Sequence, residues 1–468
     1  MKLIDCTVTE IGAALDAGQA RSVDLVEQWI ARTTAAATLN CYTAFDAAGL
    51  RRQAAAADAR RASGQRLPLL GIPVALKDNI ESVGLPCGDG TGALHGQLAT
   101  RDAVVVQRLR AAGALIAGKL GMHELALGIT NHNAVTGAVR NPWDHARIPG
   151  GSSGGSGAAV AARLVPASIG TDTGGSVRIP AALCGVAGLR PTVGRVSRSG
   201  VAPIALTRDT PGPLARSVAD LALLDTVLSG EEMPMSTVAL RGLRLGVPHS
   251  PFWDDLDAGV ARLANAALQT LRAAGVDLVD VKLPEVAPWS EEIGFVIVQH
   301  EFLRDMRSYL AERACGVDFP QLVAGIASAD VRPLVQALLQ GPAVSETAYA
   351  QALQTRRQLQ DSYARAFAEH DIGALVFPTT PSRAARIGED QSFIHNHRPC
   401  PTFATFIRNT DPGSNAGIPG LSLPIGLADG LPVGLALDGP AGSDRRLLAL
   451  GMAVEAALPP MPLCPSWN

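Results

Sequence analysis

Two serines and one lysine are the residues of this chain best placed to carry nucleophilic chemistry. Lysine is scarce, occurring only as Lys2, Lys77, Lys119 and Lys282. Lys77 lies in GIPVALKDNI (71–80), after the nearly uncharged stretch LPLLGIPVAL. A lysine at a strand end can snorkel outward to water. It can equally be a buried amine whose pKa has been pushed down, able to act as a base. Ser152 and Ser153 sit between Gly150-Gly151 and Gly154-Gly155, ahead of the helix-forming run AAVAARL. Ser176 sits in Thr171-Asp-Thr-Gly-Gly-Ser-Val-Arg178, after the strand-like VPASIG. Two glycines before a serine let consecutive backbone N–H groups turn into a cavity, which is what an oxyanion hole requires. Ser176 is then the nucleophile; the competing reading is a tight turn with a hydrogen-bonded serine.

Other chemistries fit less well. A glycine loop feeding a helix N-terminus is a natural anion site, yet the GK[ST] ending of a P-loop is missing. Gly151-Ser-Ser153-Gly-Gly155 satisfies G-x-S-x-G, but the preceding RNPWDHARIPG carries two prolines and several charges and cannot be the core strand that motif needs. His395-Asn-His397 has no third metal ligand in a matching pattern, and His123, His132 and His145 read as structural or surface residues. A serine hydroxyl needs a base. No histidine lies within 148–182, so a neutral lysine is the alternative, with a second serine to relay the proton if the lysine is too distant for direct contact.

Several elements must position these groups. Thr7 to Glu10 reads as a capping box, and Ser22 as the cap of VDLVEQWIARTTAA. Residues 45–63 are alanine- and arginine-rich and predict a helix. GIPVALK, ALIAGK, LRLGVP and DLVDVKLP read as strands alternating with helices near 102–113 and 257–274. Residues 290–370 read as mainly helical; GALVFPTTP, GLSLPIG and PVGLALDG return to strands before a helix near 444–457. This alternation predicts an α/β fold with a mostly parallel sheet covered by helices on both faces. No tandem repeat or low-complexity linker divides the chain, so one domain over 1–468 is expected.

With 47% apolar residues the chain can bury a large core, and with a net charge of −3, no basic tract and 4% aromatics it does not suit nucleic acid. Seven widely spaced cysteines with no C-x-x-C pair suit a reducing compartment. MKLIDCTVTEIG has no apolar h-region and no run is long enough to span a bilayer, so a cytoplasmic protein without membrane partners is expected.

From GGSSGGSGAAVA through GTDTGGSVRIPA, residues 150–181 resemble the amidase signature family, with the two serines 24 positions apart as in that family. GIPVALKDNI resembles its lysine motif, and the likeness extends over nearly the whole chain, with a core near 65–225 and its weakest stretch within 225–370. The resemblance implies the amidase-signature fold and a triad of Lys77, Ser152 and Ser176, with a cis Gly151–Ser152 peptide. It implies an oxyanion hole from the N–H groups of Thr173, Gly174, Gly175 and Ser176, supported by Ser153, Asp172 and Arg178, with no metal or organic cofactor. RDTPGPLARSVADLALLD (208–225), MHELALGITNHNAVTGAVRNP (122–142) and FIRNTDPGSNAGIPGLSLPIG (406–426) are similar to bacterial indoleacetamide and mandelamide hydrolases. That likeness implies a primary arylacetamide as the small-molecule partner. Leu127, Gly128, Ile129, Phe403, Phe406 and Ile418 are candidates for the acyl pocket, and the loosely matching 383–400 for its entrance. Anilides, carbamates and other acyl amides or esters stay open as substrates. So do a homodimer, a glutamine-hydrolysing amidotransferase subunit working with a partner protein, and a catalytically dead scaffold.

Overall fold

The computed structural model describes residues 2–231, 235–340 and 343–464. Residues 341 and 342 of the expected helical stretch, and the ends of the 1–468 span, lie outside them. Eleven strands among the described residues form one sheet: β1 (Tyr42–Ala44), β2 (Pro73–Lys77), β3 (Leu115–Leu120), β4 (Ala167–Asp172), β5 (Ala187–Arg190), β6 (Thr210–Ala215), β7 (Arg244–Pro248), β8 (Asp277–Val281), β9 (Ala374–Pro378), β10 (Gly420–Ala428) and β11 (Leu431–Asp438). Their spatial order is β1-β3-β2-β4-β6-β5-β10-β11-β9-β7-β8.

The mixed sheet is the expected one, but its balance differs. Only β3–β2, β2–β4, β9–β7 and β7–β8 pair in parallel, and the other six neighbours are antiparallel. Parallel pairs arise where a helix crosses over between strands, as in β2-helix-β3. The centre is instead built from β10 and β11, joined by a short turn through Asp429 and Gly430 that forces them antiparallel.

Helices cover both faces. Leu421 of β10 packs on Gly451 in the Asp444–Ala457 helix, so closely that a Cβ at 451 would overlap it. On the opposite face Gly434 of β11, level with Pro424, backs onto the Arg178–Cys184 helix; a Cβ there would lie 2.5 Å from Ala182 Cβ. Alternate residues of a strand point to opposite faces, so these two contacts define the two layers. The Val286–Arg313 and Glu346–Glu369 helices pack together within the expected helical region. No described helix is long and apolar enough to cross a membrane.

The first elements follow local rules, with one exception. Thr7 and Glu10 form the expected capping box. Ser22 does not cap its helix: it is the first helical residue of Ser22–Ala35, and Arg21 at the cap position offers no side-chain bond. The cap comes from a distant carboxylate instead. Asp58, on the Ala47–Ala62 helix, accepts the N–H groups of Ser22 and Val23 at 2.8 and 3.1 Å. Replacing Asp58 with alanine is expected to lower stability by about 1 kcal/mol, the usual worth of such a cap, whereas Ser22→Ala costs less; urea unfolding of both variants checks the order.

Candidate active site

The parallel pair β2–β4 brings two strand ends to one edge of the sheet. Lys77 ends β2 and Thr171-Asp172 end β4. Lys77 is fully buried. Its Nζ lies 2.8 Å from Ser152 Oγ and 2.7 Å from Thr171 Oγ1, and Asn79 Nδ2 donates to the same threonine oxygen at 3.2 Å. Burial penalises the charged ammonium and brings the Lys77 pKa down to about 7, although Asp89, Asp172 and Asp209 pull the other way. The strand-end lysine therefore does not snorkel outward.

Ser152 is also fully buried, and the Gly151–Ser152 peptide is cis. Its carbonyl accepts the His123 N–H at 3.1 Å. Ser153 binds the two glycine clusters together: its N–H donates to the Ser176 carbonyl at 3.2 Å, and its Oγ donates to the Thr171 carbonyl at 3.1 Å. The Gly154–Ala161 helix starts here, and Gly155 donates to the Gly121 carbonyl at 2.9 Å. A Cβ at 155 would sit 2.5 Å from that oxygen, so only glycine lets the helix approach.

The second cluster is held from outside itself. Gly175 has φ of +145°, a region that L side chains rarely adopt, and Thr410 fills the space beside it. Thr410 Oγ1 donates to the Gly174 carbonyl at 2.7 Å. Thr173 Oγ1 donates to Asp209 at 2.6 Å. No acceptor among the described residues takes the N–H groups of Thr173, Gly174, Gly175 or Ser176. Beneath them Asp172 accepts from Val177 N–H at 3.2 Å, from Arg178 Nε at 3.1 Å and from Arg190 Nη1 at 2.9 Å. Burial alone would raise the Asp172 pKa, but the two guanidiniums hold it well below the usual carboxylate range.

These loops open on a cavity of about 550 Å³. Thr173, Gly174 and Ser176 lie on its wall with Leu127, Gly128, Ile129 and Phe403. Phe406 and Ile418 do not. Phe406 is buried against Phe393, ring centroids 5.2 Å apart, and Ile418 packs in the core with Phe377. Nor does 383–400 reach the cavity. Its hairpin, Ser392–His395 with Arg398–Pro401, is pinned elsewhere: Asn396 donates to Asp255 at 2.9 Å and His395 Nε2 contacts the Asp255 carbonyl at 2.7 Å. The lining resumes only at Phe403. His132 pairs with Asp390 at 2.7 Å and His145 is exposed.

The sequence model of the family described as Amidase matches residues 24–448. The chain belongs to the amidase family. An indoleacetamide hydrolase of Agrobacterium vitis is 45% identical over 93% of both chains. A mandelamide hydrolase of Pseudomonas putida is 42% identical over 97% of this chain and 92% of its own. A crystal structure of an amidase superposes with a TM-score of 0.87 at 36% identity, covering 97% of this chain and all of that one. The family and these relatives make the chain an amide hydrolase.

Several residues around this amidase site were not singled out from sequence. Thr171, the second partner of Lys77, stood inside the quoted motif, and a hydroxyl at a strand end was its only signal. Asp209, Arg190 and Thr410 gave none, because their roles depend on packing between segments far apart in the chain. Replacing Asp172 with asparagine removes the carboxylate that both buried guanidiniums bond, leaving Arg178 the more distant Asp438 at 3.8 Å, and is expected to cost about 3–5 kcal/mol. The native carboxylate titrates below its unfolded value, so its stabilisation is complete at neutral pH and fades below about pH 5. Denaturant unfolding across pH should show this acid limb in the parent and a reduced one in Asp172→Asn.

Proposed function

We propose that the chain hydrolyses a small aryl-substituted primary amide to its acid and ammonia through Ser176, Ser152 and Lys77. The observation that carries this reading is the fully buried Lys77 amine 2.8 Å from the Ser152 hydroxyl, in loops that open on an apolar cavity with Ser176 on its wall. Neutral Lys77 accepts a proton from Ser152 as Ser152 accepts one from Ser176. Ser176 Oγ attacks the amide carbonyl, and the carbonyl π electrons move onto oxygen. The N–H groups of Thr173, Gly174, Gly175 and Ser176 receive that oxyanion. As the tetrahedral intermediate collapses, the C–N bond breaks and Ser152 protonates the departing nitrogen, regaining its own proton from Lys77. Water then attacks the acyl-enzyme, its proton passing down the same relay, and the acid leaves.

The cavity supports an aryl acyl group. Leu127, Ile129, Phe295, Val298, Leu334 and Phe403 line it, and its volume lies in the range of small-molecule sites. The wall also carries charge, in Arg208, Glu291, Arg408 and Asp411, so glutamine belongs in the substrate panel. Arg208 is paired with Asp411, and Arg408 donates to the Asp254 carbonyl.

Since the base must be uncharged, kcat/KM is expected to fall tenfold per unit as pH drops below about 7, and to level off above it. Lys77→Arg stays protonated and should lose about 10²–10⁴-fold in kcat. Ser176→Ala should abolish turnover while its circular dichroism matches the parent. The decisive assay measures ammonia or amine release from indoleacetamide, mandelamide, phenylacetamide, an anilide, a carbamate and glutamine. Turnover of glutamine in preference to the aryl amides would overturn the substrate class, and full activity of Ser176→Ala would overturn the mechanism.

A further inference from the structure

His123 is fully buried beside Ser152 and takes no part in the proton relay. It is not placed to serve as a base: Nδ1 is occupied by a backbone donor, and Nε2 faces a carboxylate at close range without the alignment of a hydrogen bond. Nδ1 accepts the Asn131 N–H at 3.2 Å, which leaves the ring proton on Nε2, and Nε2 lies 3.0 Å from the Asp330 carboxylate. The backbone around the ring belongs to the site on three sides. The His123 N–H donates to the Ser152 carbonyl at 3.1 Å. Asn131 accepts the Gly154 N–H at 3.0 Å through its side chain. Gly128, on the cavity wall, lies flat on the imidazole, and any Cβ there would strike the ring.

Asp330 immediately precedes the Val331–Gln340 helix, where a carboxylate complements the helix dipole. Leu334 and Leu338 of that helix are also on the cavity wall. Next to His123, Glu124 accepts the N–H groups of Ala327 and Ser328 at 3.1 and 2.7 Å, which fixes the approach to Asp330. We infer that His123 and Asp330 are a positioning pair that ties the substrate-lining Val331–Gln340 helix to the peptide of Ser152, so that the acyl pocket and the relay hydroxyl hold one register. This rests on the proposed relay through Ser152.

Two substitutions separate the tie from helix capping. Asp330→Ser keeps an oxygen for the helix N-terminus but withdraws the carboxylate group that packs 3.0 Å from His123 Nε2; Asp330→Asn keeps an oxygen in both places. Asp330→Asn is expected within about twofold of the parent, and Asp330→Ser to lose about ten- to a hundredfold in kcat, as misplacement of a reacting group does. KM should rise for phenylacetamide more than for acetamide, which is too small to reach Leu334 and Leu338. Amide hydrogen exchange should quicken in both 121–131 and 331–340, with the global unfolding midpoint of Asp330→Ser matching that of Asp330→Asn. His123→Asn, which keeps an acceptor near the Nδ1 position, should repeat the pattern, and the double variant His123→Asn/Asp330→Ser should add little. Equal kinetics for the two Asp330 variants, or exchange confined to 331–340, overturns the tie. If Ser176→Ala retains turnover the relay fails instead, and the exchange pattern still reports on the pair.

Discussion

A lysine amine buried out of bulk solvent is the constraint to which the rest of this molecule answers. Lys77 ends a strand flanked by strands on both sides, so its ammonium form has lost bulk solvation and gained only two hydroxyls in return. Water would supply more. The shortfall makes the neutral form accessible near physiological pH, and a neutral amine is what a serine needs from a base. The same burial makes an unmatched charge nearby costly. Asp172 is matched by Arg178 and Arg190, and it also anchors the loop that carries Ser176.

Glycine use follows from that crowding. At Gly155 the helix backbone touches the Gly121 backbone, and at Gly175 the chain turns through a left-handed conformation against Thr410. The density of such residues in 150–157 and 174–175 was the visible trace, in one dimension, of two loops pressed together and stitched by Ser153. The side chains that do the pressing are not local, and no pattern within 148–182 announces Thr410 or Arg190.

Much of the architecture was legible because it is local. The capping box at Thr7, the alanine-rich helix and the strands flanking Lys77 all stand where periodicity put them. What failed was whatever requires knowing which segments meet. Ser22 looks like a cap, yet a carboxylate from another helix takes that place. Phe406 and Ile418 are as apolar as Leu127 and Phe403, but hydrophobicity alone does not distinguish a cavity wall from a core. Strand direction was overestimated as parallel because alternation with helices is visible in sequence, whereas the neighbour a strand chooses is not.

The order of strands in space also departs from their order of synthesis. β5, made early, finds its second neighbour only in residues 420–422 of β10, and the β10–β11 hairpin that fills the middle of the sheet is the last of its strands to emerge from the ribosome. Until then the nascent chain carries an open edge at β5, with the backbone groups that β10 will pair still unmatched. A chain cut short before position 420 therefore ends as two half-sheets with no seam between them, and unpaired strand edges of that kind recruit other chains.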